Sequence, residues 1–276
     1  MIEYSIYPNG KRRIVTFSYD DGPAQDERLV ALFNQYGVKA TFHLNGRKYL
    51  NMSLEERMEV RARYAGHEIA CHTLQHGWLE RMPGISVVNE IVKDRLILEE
   101  IAGYPVVGMS YPNGSVSRFA ADTLAACGIV YSRTTGSTKK MKQPEDFMLW
   151  NPTCHHKDAL QLCQGYLDNL DSYWTGPLFY IWGHSYEFRT EEDWAYMESL
   201  LKLLSGNEKI WYATNLEIYD YFAAQRQLRV SADERILHNP TATDVWVEKD
   251  RNHVICIPAG KTVFLEKGDH PSCPMP

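Results

Sequence analysis

The chain has 276 residues, of which 44% are hydrophobic and 23% are charged. These proportions are ordinary for a globular protein and exclude a disordered chain, a collagen-like fibre and a small disulfide-rich scaffold. The net charge of −6 disfavours the basic face that nucleic-acid binding usually needs, so we expect no nucleic-acid partner. No segment approaches the roughly 18 consecutive apolar residues of a membrane span, so we expect no membrane partner.

The amino-terminal residues MIEYSIYPNG lack the basic segment and apolar stretch of a signal peptide. The six cysteines are scattered and form no C-x-x-C pair, which favours reduced, buried thiols. Both observations predict a cytoplasmic protein, or an exported one if a signal has been removed.

Short apolar runs alternate with helical patterns up to residue 226. Runs typical of strands lie at 13–18, 39–44, 68–71, 106–110, 129–132, 178–182 and 210–213. Helical spacing of apolar residues is found at 25–36, 53–64, 85–102, 117–126, 191–204 and 215–226. The segment 134–158 shows no regular pattern. This alternation indicates parallel strands joined by crossover helices, and about seven such units favour a barrel over an open sheet.

The pattern changes after residue 227. Short alternating segments follow one another without a helix, and turn residues such as Asn239-Pro240 separate them. This predicts a small antiparallel β appendage. We therefore expect two domains, a barrel at 1–226 and a β appendage with a C-terminal tail at 227–276.

Residues that follow the strands are the candidates for a functional site, because parallel barrels carry their chemistry at the C-terminal strand ends. Asp20 and Asp21 follow the first strand. Adjacent carboxylates there point in different directions and can serve separate tasks, such as metal ligation and proton abstraction. A plain turn is the alternative, because Asp-Asp-Gly-Pro is also good turn chemistry.

Histidines follow two further strands. His72 and His76 would lie on one face of a helical turn, close enough to share a metal, although such a pair is as often structural. With Asp21 as third donor they would suit zinc or another divalent transition metal. His184, after the strand at 178–182, could act as a general acid, and its alternative role is packing or capping.

These residues occur in the order of known family motifs. Between about residues 10 and 225 the chain resembles the polysaccharide deacetylase family, also called carbohydrate esterase family 4 or the chitooligosaccharide deacetylase homology domain. The motif Thr-Phe-Asp-Asp-Gly is similar to residues 18–22 (SYDDG), and His-Ser/Thr-x-x-His is matched by residues 72–76 (HTLQH). The histidine of the fifth motif resembles His184. The resemblance implies an α/β fold, a distorted (β/α)7 barrel, here followed by the small C-terminal antiparallel β appendage.

The resemblance also implies an activity, a metal-dependent deacetylase that removes N-acetyl groups from an amino sugar or oligosaccharide. Asp21, His72 and His76 would hold the metal, with zinc as the first choice and cobalt, manganese or nickel as alternatives. Asp20 would be the base and His184 the acid in an attack by metal-activated water. The expected partner is an acetylated saccharide substrate, and the oligomeric state is left open.

The third motif, Arg-Pro-Pro-Tyr-Gly, is only partly matched by residues 110–114 (SYPNG). Ser110 stands where the family has the arginine that orients the base. Arg133, at the end of the next strand, is our candidate replacement. The Asn113 N–H would donate to the oxyanion. The aromatic residues that could stack on sugar rings are Tyr19, Tyr111, Trp150 and Tyr186.

The fourth motif is barely visible, so the carboxylate partner of the acid histidine has no assignment. Trp182 stands where leucine lines the acetyl pocket, and its indole would narrow this pocket or change the acyl group accepted. His155, His156 and Glu187 match no motif of the family. Adjacent histidines in a long irregular segment indicate a site loop or, equally well, a solvent-facing loop.

Two alternatives stay open. The missing arginine, Trp182 and the absent export signal favour an O-acetyl esterase or a cyclic amide hydrolase on the same site over action on a cell-wall polymer. The lost arginine and the blurred fourth motif also favour a weakly catalytic carbohydrate-binding barrel. The complete metal set, together with a base and an acid, argues against that second alternative.

Overall fold

The computed structural model describes residues 1–172, 176–250 and 253–265. The strands within them are β1 (Ile2–Glu3), β2 (Arg13–Asp20), β3 (Ala40–Leu44), β4 (Glu68–Cys71), β5 (Gly108–Ser110), β6 (Tyr131–Arg133), β7 (Cys154–His155), β8 (Leu178–Gly183), β9 (Ile210–Tyr212), β10 (Arg229–Val230), β11 (Ile236–His238), β12 (Val245–Lys249), β13 (His253–Ile257) and β14 (Thr262–Phe264). The α-helices are α1 (Asp26–Gln35), α2 (Leu54–Arg63), α3 (Gly84–Ala102), α4 (Arg118–Ala126), α5 (His156–Leu167), α6 (Glu191–Leu204) and α7 (Asn215–Arg226).

Residues Arg13–Tyr219 form one compact unit around a parallel sheet. The strand order is β6-β5-β4-β3-β2-β8-β7, and β9 pairs with the first three residues of β2. Every residue of β2 is buried, as expected for a central strand of a parallel sheet with covered faces. The sheet curls into a half-barrel with helices between its strands. The predicted distorted (β/α)7 barrel is therefore confirmed.

Local signals in the sequence begin and end the helices around this sheet. A capping box formed by Ser53 and Glu56 begins α2, and a second one formed by Thr190 and Asp193 begins α6. α3 ends at Gly103, whose φ of 75° lies in the left-handed region that glycine favours. None of the described helices is both long and apolar enough to cross a lipid bilayer.

The segment 134–158 contains structure that the sequence did not predict. It contains β7, and α5 begins at His156 directly after this strand. β7 has only two residues, which is too short for a periodic pattern to be visible. β7 pairs in parallel with β8, with His155 opposite Trp182. This pairing places His155 and His156 close to the C-terminal end of β8.

The described residues of Met1–Arg12 and Asp220–Pro276 form the other compact unit. Two antiparallel three-stranded sheets make it up, β1-β12-β13 and β10-β11-β14. One small core cluster of this unit consists of Ile2, Leu237, Val247 and Ile257. The division falls within α7 and groups residues 1–12 with this unit, whereas the sequence prediction placed them in the barrel. The part of the predicted tail after residue 265 lies outside the described residues.

Candidate active site

Asp20 and Asp21 lie where β2 leaves the sheet. Asp20 is the last residue of the strand and is buried, whereas the side chain of Asp21 is 20% exposed. Asp21 has a φ of 76° and the following Gly22 a φ of 62°. Such left-handed conformations are uncommon for residues other than glycine, although aspartate adopts them more readily than most. The turn sends the two carboxylates to different partners, as the sequence predicted.

His72 and His76 lie in an irregular loop after β4, so the predicted helical turn is wrong. Thr73 and His76 have φ values of 62° and 59°, which no α-helix contains. The two imidazole rings nevertheless come together, with centroids 4.9 Å apart. Proximity of an i, i+4 pair therefore arises here from a folded loop and not from helical geometry.

Two acidic residues of α3 stabilise this loop through its backbone. Asp94 accepts hydrogen bonds from the N–H of His72 at 3.2 Å and of Gly46 at 2.6 Å. One turn earlier, Glu90 accepts from the N–H of Gln75 at 2.9 Å. Sequence analysis missed both residues. The sequence feature that could have indicated them is a pair of carboxylates four residues apart on the buried face of α3. Buried carboxylates require hydrogen-bond partners.

Asp21, His72 and His76 bring three potential ligand atoms together. Oδ1 of Asp21 lies 3.8 Å from Nε2 of His72 and 3.5 Å from Nε2 of His76. Nδ1 of His72 lies 3.0 Å from the carbonyl oxygen of Ser110, so it donates there and leaves the lone pair of Nε2 facing Asp21. Burial lowers the pKa of His72 to about 4, which keeps it in the neutral form that binds metals. This donor set fits zinc or a related divalent transition metal.

Asp20 is held by two other side chains. Arg133 is fully buried, and its Nη2 pairs with Oδ2 of Asp20. Ser110 donates from its hydroxyl to Oδ1 of Asp20 at 3.0 Å. Burial alone would raise the pKa of Asp20, but the charge of Arg133 together with the neighbouring histidines outweighs it and holds that pKa well below its usual range. The structure thus places Arg133 against the carboxylate that the sequence hypothesis named.

His184 follows β8 and lies close to the same oxygen of Asp20 that Arg133 contacts. Its Nε2 lies 4.0 Å from Oδ2 of Asp20, and its Nδ1 lies 3.4 Å from Oε1 of Glu187. Tyr186 stacks on the imidazole with ring centroids 4.9 Å apart. Burial lowers the pKa of His184, but Glu187 and the charge of Asp20 more than compensate and leave that pKa raised. A raised pKa favours the protonated imidazole, which is the form that can donate a proton.

His155, His156 and Glu187 form a second cluster next to His184. Oε2 of Glu187 lies 3.1 Å from Nε2 of His155 and 3.2 Å from Nε2 of His156. The side chain of His156 is 3% exposed and that of Glu187 is 17% exposed. The burial of His156 and the partial burial of His155, whose side chain is 19% exposed, argue against a solvent-facing loop at these two histidines.

The aromatic residues differ from the sequence expectation. Tyr111 is fully buried and its hydroxyl donates to the Met148 carbonyl, so it cannot stack on a sugar ring. Tyr19 and Trp150 are buried as well, whereas Tyr186 is 39% exposed. Large aromatic side chains at these positions fill the core of the barrel. Tyr186 is the predicted stacking residue that reaches the surface.

The other two predicted substrate contacts lie at the site. The side-chain nitrogen of Asn113 is 3.4 Å from the carbonyl oxygen of His76. Asn113, the predicted hydrogen-bond donor to the oxyanion, therefore lies beside the group of Asp21, His72 and His76. The indole of Trp182 lies over Arg133, with the guanidinium carbon 4.4 Å from the ring centre. Trp182 also lies within 5.7 Å of the His184 ring. It therefore covers one side of the space between base and acid.

Comparison with known proteins shows what this chain is similar to. Residues 8–132 match the family model described as polysaccharide deacetylase. A chitin deacetylase from Pestalotiopsis sp is 30% identical over 112 residues, which cover 40% of this chain and 38% of that protein. The chain spans only 26% to 38% of the length of this chitin deacetylase and of two peptidoglycan deacetylases that it also matches.

Solved structures share the fold at low sequence identity. A PuuE allantoinase superimposes with a TM-score of 0.64 at 13% identity, covering 80% of this chain and 93% of that one. A family 4 acetyl xylan esterase from Clostridium thermocellum, solved with a cobalt ion, has a TM-score of 0.51 at 17% identity, covering 75% and 91% of the two chains. The family model and the relatives show that residues 8–132 are similar to polysaccharide deacetylases, and the solved structures show that the chain shares their barrel fold.

Proposed function

We propose that this barrel hydrolyses the N-acetyl group of an amino sugar or of a short oligosaccharide of such sugars. One observation carries the proposal. The buried carboxylate of Asp20 and the imidazole of His184 face each other at 4.0 Å, beside a group of three metal-type donors. Amide hydrolysis requires a base and an acid on two sides of one position. The similarity to a chitin deacetylase supports an acetylated amino sugar as substrate.

Asp21, His72 and His76 are the residues that would hold a divalent metal. Zinc is the first choice because two imidazoles and one carboxylate leave positions open for water and substrate. When bound, the metal would polarise the acetyl carbonyl and make water a stronger nucleophile at neutral pH. The acetyl xylan esterase that shares the fold was solved with a cobalt ion, which supports a transition metal in this position.

Asp20 and His184 would carry the two proton transfers. Asp20 accepts a proton from the attacking water, whose hydroxyl adds to the acyl carbon. His184 then gives a proton to the sugar nitrogen as the C–N bond breaks, so that acetate and a free amine leave. Arg133 and Ser110 each contact one oxygen of Asp20, and they hold this carboxylate ionised in a single orientation.

Hydrolysis of a cyclic amide is the second candidate, and Trp182 is the observation that favours it. Its indole covers Arg133 and lies close to His184, where the family pattern has the smaller leucine. An indole at this position would narrow the space for the methyl group of an acetyl substituent. A ring amide has no separate methyl group to place there, and its C–N bond would be cleaved by the same base and acid.

A hydrolysis screen on metal-reconstituted protein tests the proposal. Acetate release would be measured from N-acetyl chitooligosaccharides and acetylated xylan, and ring opening from cyclic amides. Asp20→Asn should lower kcat by at least roughly 100-fold and leave metal content unchanged, because the proton acceptor is lost and the ligands remain. Asp122→Asn is the control, because this residue is exposed on α4. An Asp20→Asn variant with full turnover would exclude the mechanism. Sugar binding without product from any substrate would favour the non-catalytic barrel.

A further inference from the structure

Glu187 is surrounded by four nitrogen atoms from neighbouring side chains. Its Oε1 lies 3.4 Å from Nδ1 of His184. Its Oε2 lies 3.1 Å from Nε2 of His155, 3.2 Å from Nε2 of His156 and 3.2 Å from Nζ of Lys157. Burial alone would raise the pKa of Glu187, but the surrounding N–H groups outweigh it and lower that pKa well below its usual range. These neighbours therefore favour the ionised form of Glu187.

The backbone of α5 determines which nitrogen of His155 carries the proton. His155 is the N-cap residue of α5, and its Nδ1 accepts the N–H of Lys157 at 3.3 Å. A nitrogen that accepts a hydrogen bond uses its lone pair, so the proton of this imidazole lies on Nε2. That Nε2 is the atom facing Glu187. The helix cap therefore orients an N–H donor toward the carboxylate.

His156 presents its Nε2 to the same carboxylate oxygen. Its ring lies between Tyr19 and Phe188, with centroid distances of 5.8 and 4.7 Å and interplanar angles of 12° and 25°. Burial lowers its pKa to about 4, so this imidazole is neutral at neutral pH. A neutral imidazole facing a carboxylate is most stable with its proton between them, which places the proton on Nε2. The two flanking rings keep this donor in position.

A second metal site is the alternative explanation, because His155, His156 and Glu187 also have metal-ligand proximity. Two observations argue against it. Nε2 of His155 carries a proton and so has no lone pair for a metal while Nδ1 caps α5. The ammonium of Lys157 already lies beside Oε2 of Glu187. The cluster is better described as a carboxylate at ion-pair distance from two imidazoles and one ammonium, although Oε2 of Glu187 makes no aligned hydrogen bond among the described residues.

We propose that Glu187 is the carboxylate that orients and charges His184, and that His155 and His156 fix Glu187 for this task. This rests on the proposed function in one respect, the role of His184 as the acid. Nδ1 of His184 is buried and has no aligned hydrogen bond among the described residues. Oε1 of Glu187 lies close enough to become its acceptor, and catalytic contacts of this kind often tighten when substrate binds.

The arrangement assigns opposite tasks to the two nitrogens of His184. With the Nδ1 proton directed at Glu187, Nε2 is left toward Asp20 and the reacting centre. The charged groups that act on this imidazole are Glu187, Asp20 and Asp21. Glu187 thereby supplies the carboxylate for which no residue of the fourth motif could be assigned. It is a positioning residue, because it acts on the substrate through His184.

The test compares Glu187→Gln with a matched control, Glu191→Gln, whose carboxylate is exposed and pairs with Arg28. Imidazole ¹⁵N and ¹H chemical shifts of His184 would be followed against pH in the metal-loaded protein. Glu187→Gln should lower the pKa of His184 by about one pH unit or more and reduce the population with a proton on Nδ1. Glu191→Gln should change neither quantity.

Kinetics give a second readout. In Glu187→Gln, kcat at pH 7.5 should fall by roughly 10- to 100-fold, and the high-pH limb of its profile should move to lower pH. KM should stay within about twofold, because Glu187 does not contact substrate. An unchanged pKa and tautomer of His184 would overturn the proposal. Wild-type protein that binds two metal ions, one of which is lost in Glu187→Gln, would overturn it in favour of a metal site. The NMR measurement decides the question even if no substrate is hydrolysed, so the two proposals fail separately.

Discussion

Arg133 is fully buried at the end of β6, and its guanidinium contacts Asp20. At the end of β5, where the family pattern has an arginine, Ser110 donates to the other oxygen of the same carboxylate. The two positions are direct neighbours, since β5 and β6 pair with Ser110 opposite Arg133. A guanidinium moved by one strand therefore still reaches the base, and the small serine leaves room for it.

Replacement of this residue gives the prediction at the residue scale. Arg133→Met should lower the free energy of unfolding by about 3–5 kcal/mol, because it leaves the charge of Asp20 buried without its partner. It should also lower kcat by roughly 100-fold through loss of the base orientation. Urea unfolding and acetate release measure the two effects.

Arg118→Met is the control for this prediction. Arg118 is 69% exposed and forms surface ion pairs on α4, so its loss should cost less than about 0.5 kcal/mol. Full turnover and wild-type stability in Arg133→Met would show that Asp20 does not depend on this ion pair.

At the scale of elements, β8 and α5 approach each other through a glycine. A Cβ atom added to Gly183 would overlap the imidazole of His156 at the start of α5. The absence of a side chain at the end of β8 is what lets His156 lie against this strand and face Glu187. The contact therefore links sheet packing to the cluster that supports His184.

Gly183→Ala should separate these two elements. The overlap should lower the free energy of unfolding by about 1–3 kcal/mol, as overpacking usually does, and should reduce kcat by displacing His156. Gly165→Ala within α5 is the matched control, because an added Cβ there meets nothing within 4 Å. It should stabilise the protein by roughly 0.5–1 kcal/mol, since alanine favours a helix interior. Thermal unfolding of both variants decides the comparison, and an unaffected Gly183→Ala would contradict it.

At the scale of the whole molecule, Glu68 connects four elements of the barrel. Its carboxylate accepts the hydroxyls of Thr41 on β3 and Tyr131 on β6, and the backbone N–H of Leu216 in α7. Burial raises its pKa from 4.5 to about 7, although these three hydrogen bonds oppose the rise. The barrel is therefore stabilised by a carboxyl group that prefers its protonated form.

Stability should depend on pH through this group. Between pH 4.5 and 7 the folded protein holds a proton on Glu68 that the unfolded chain releases, so stability falls as pH rises through this range. Glu68→Gln removes this titration and imitates the protonated form. Relative to wild type, the variant should gain about 3 kcal/mol of unfolding free energy between pH 4.5 and 7.5. Urea unfolding at several pH values measures this difference, and a pH-independent difference would contradict the expectation.

Sequence-local patterns predicted six of the helices to within one residue and the positions of seven barrel strands. They failed for β7, because a two-residue strand has no visible period, and they also missed the 12-residue helix α5. They also failed for the loop after β4, where i, i+4 histidines suggested a helical turn. There the conformation depends on the backbone contacts of Asp94 and Glu90, which lie in another element.

The sequence by itself determined the barrel, the resemblance to polysaccharide deacetylases and the group of aspartates and histidines at the strand ends. Hydrophobic periodicity and short motifs are properties of neighbouring residues, so they can be read along the chain. Only the tertiary structure decided that Arg133 contacts Asp20, which lies 113 residues away, and that Glu187 lies between His155 and His184. Such contacts depend on which strands become neighbours in the sheet. That order is set by packing of the whole barrel and leaves no local pattern in the chain.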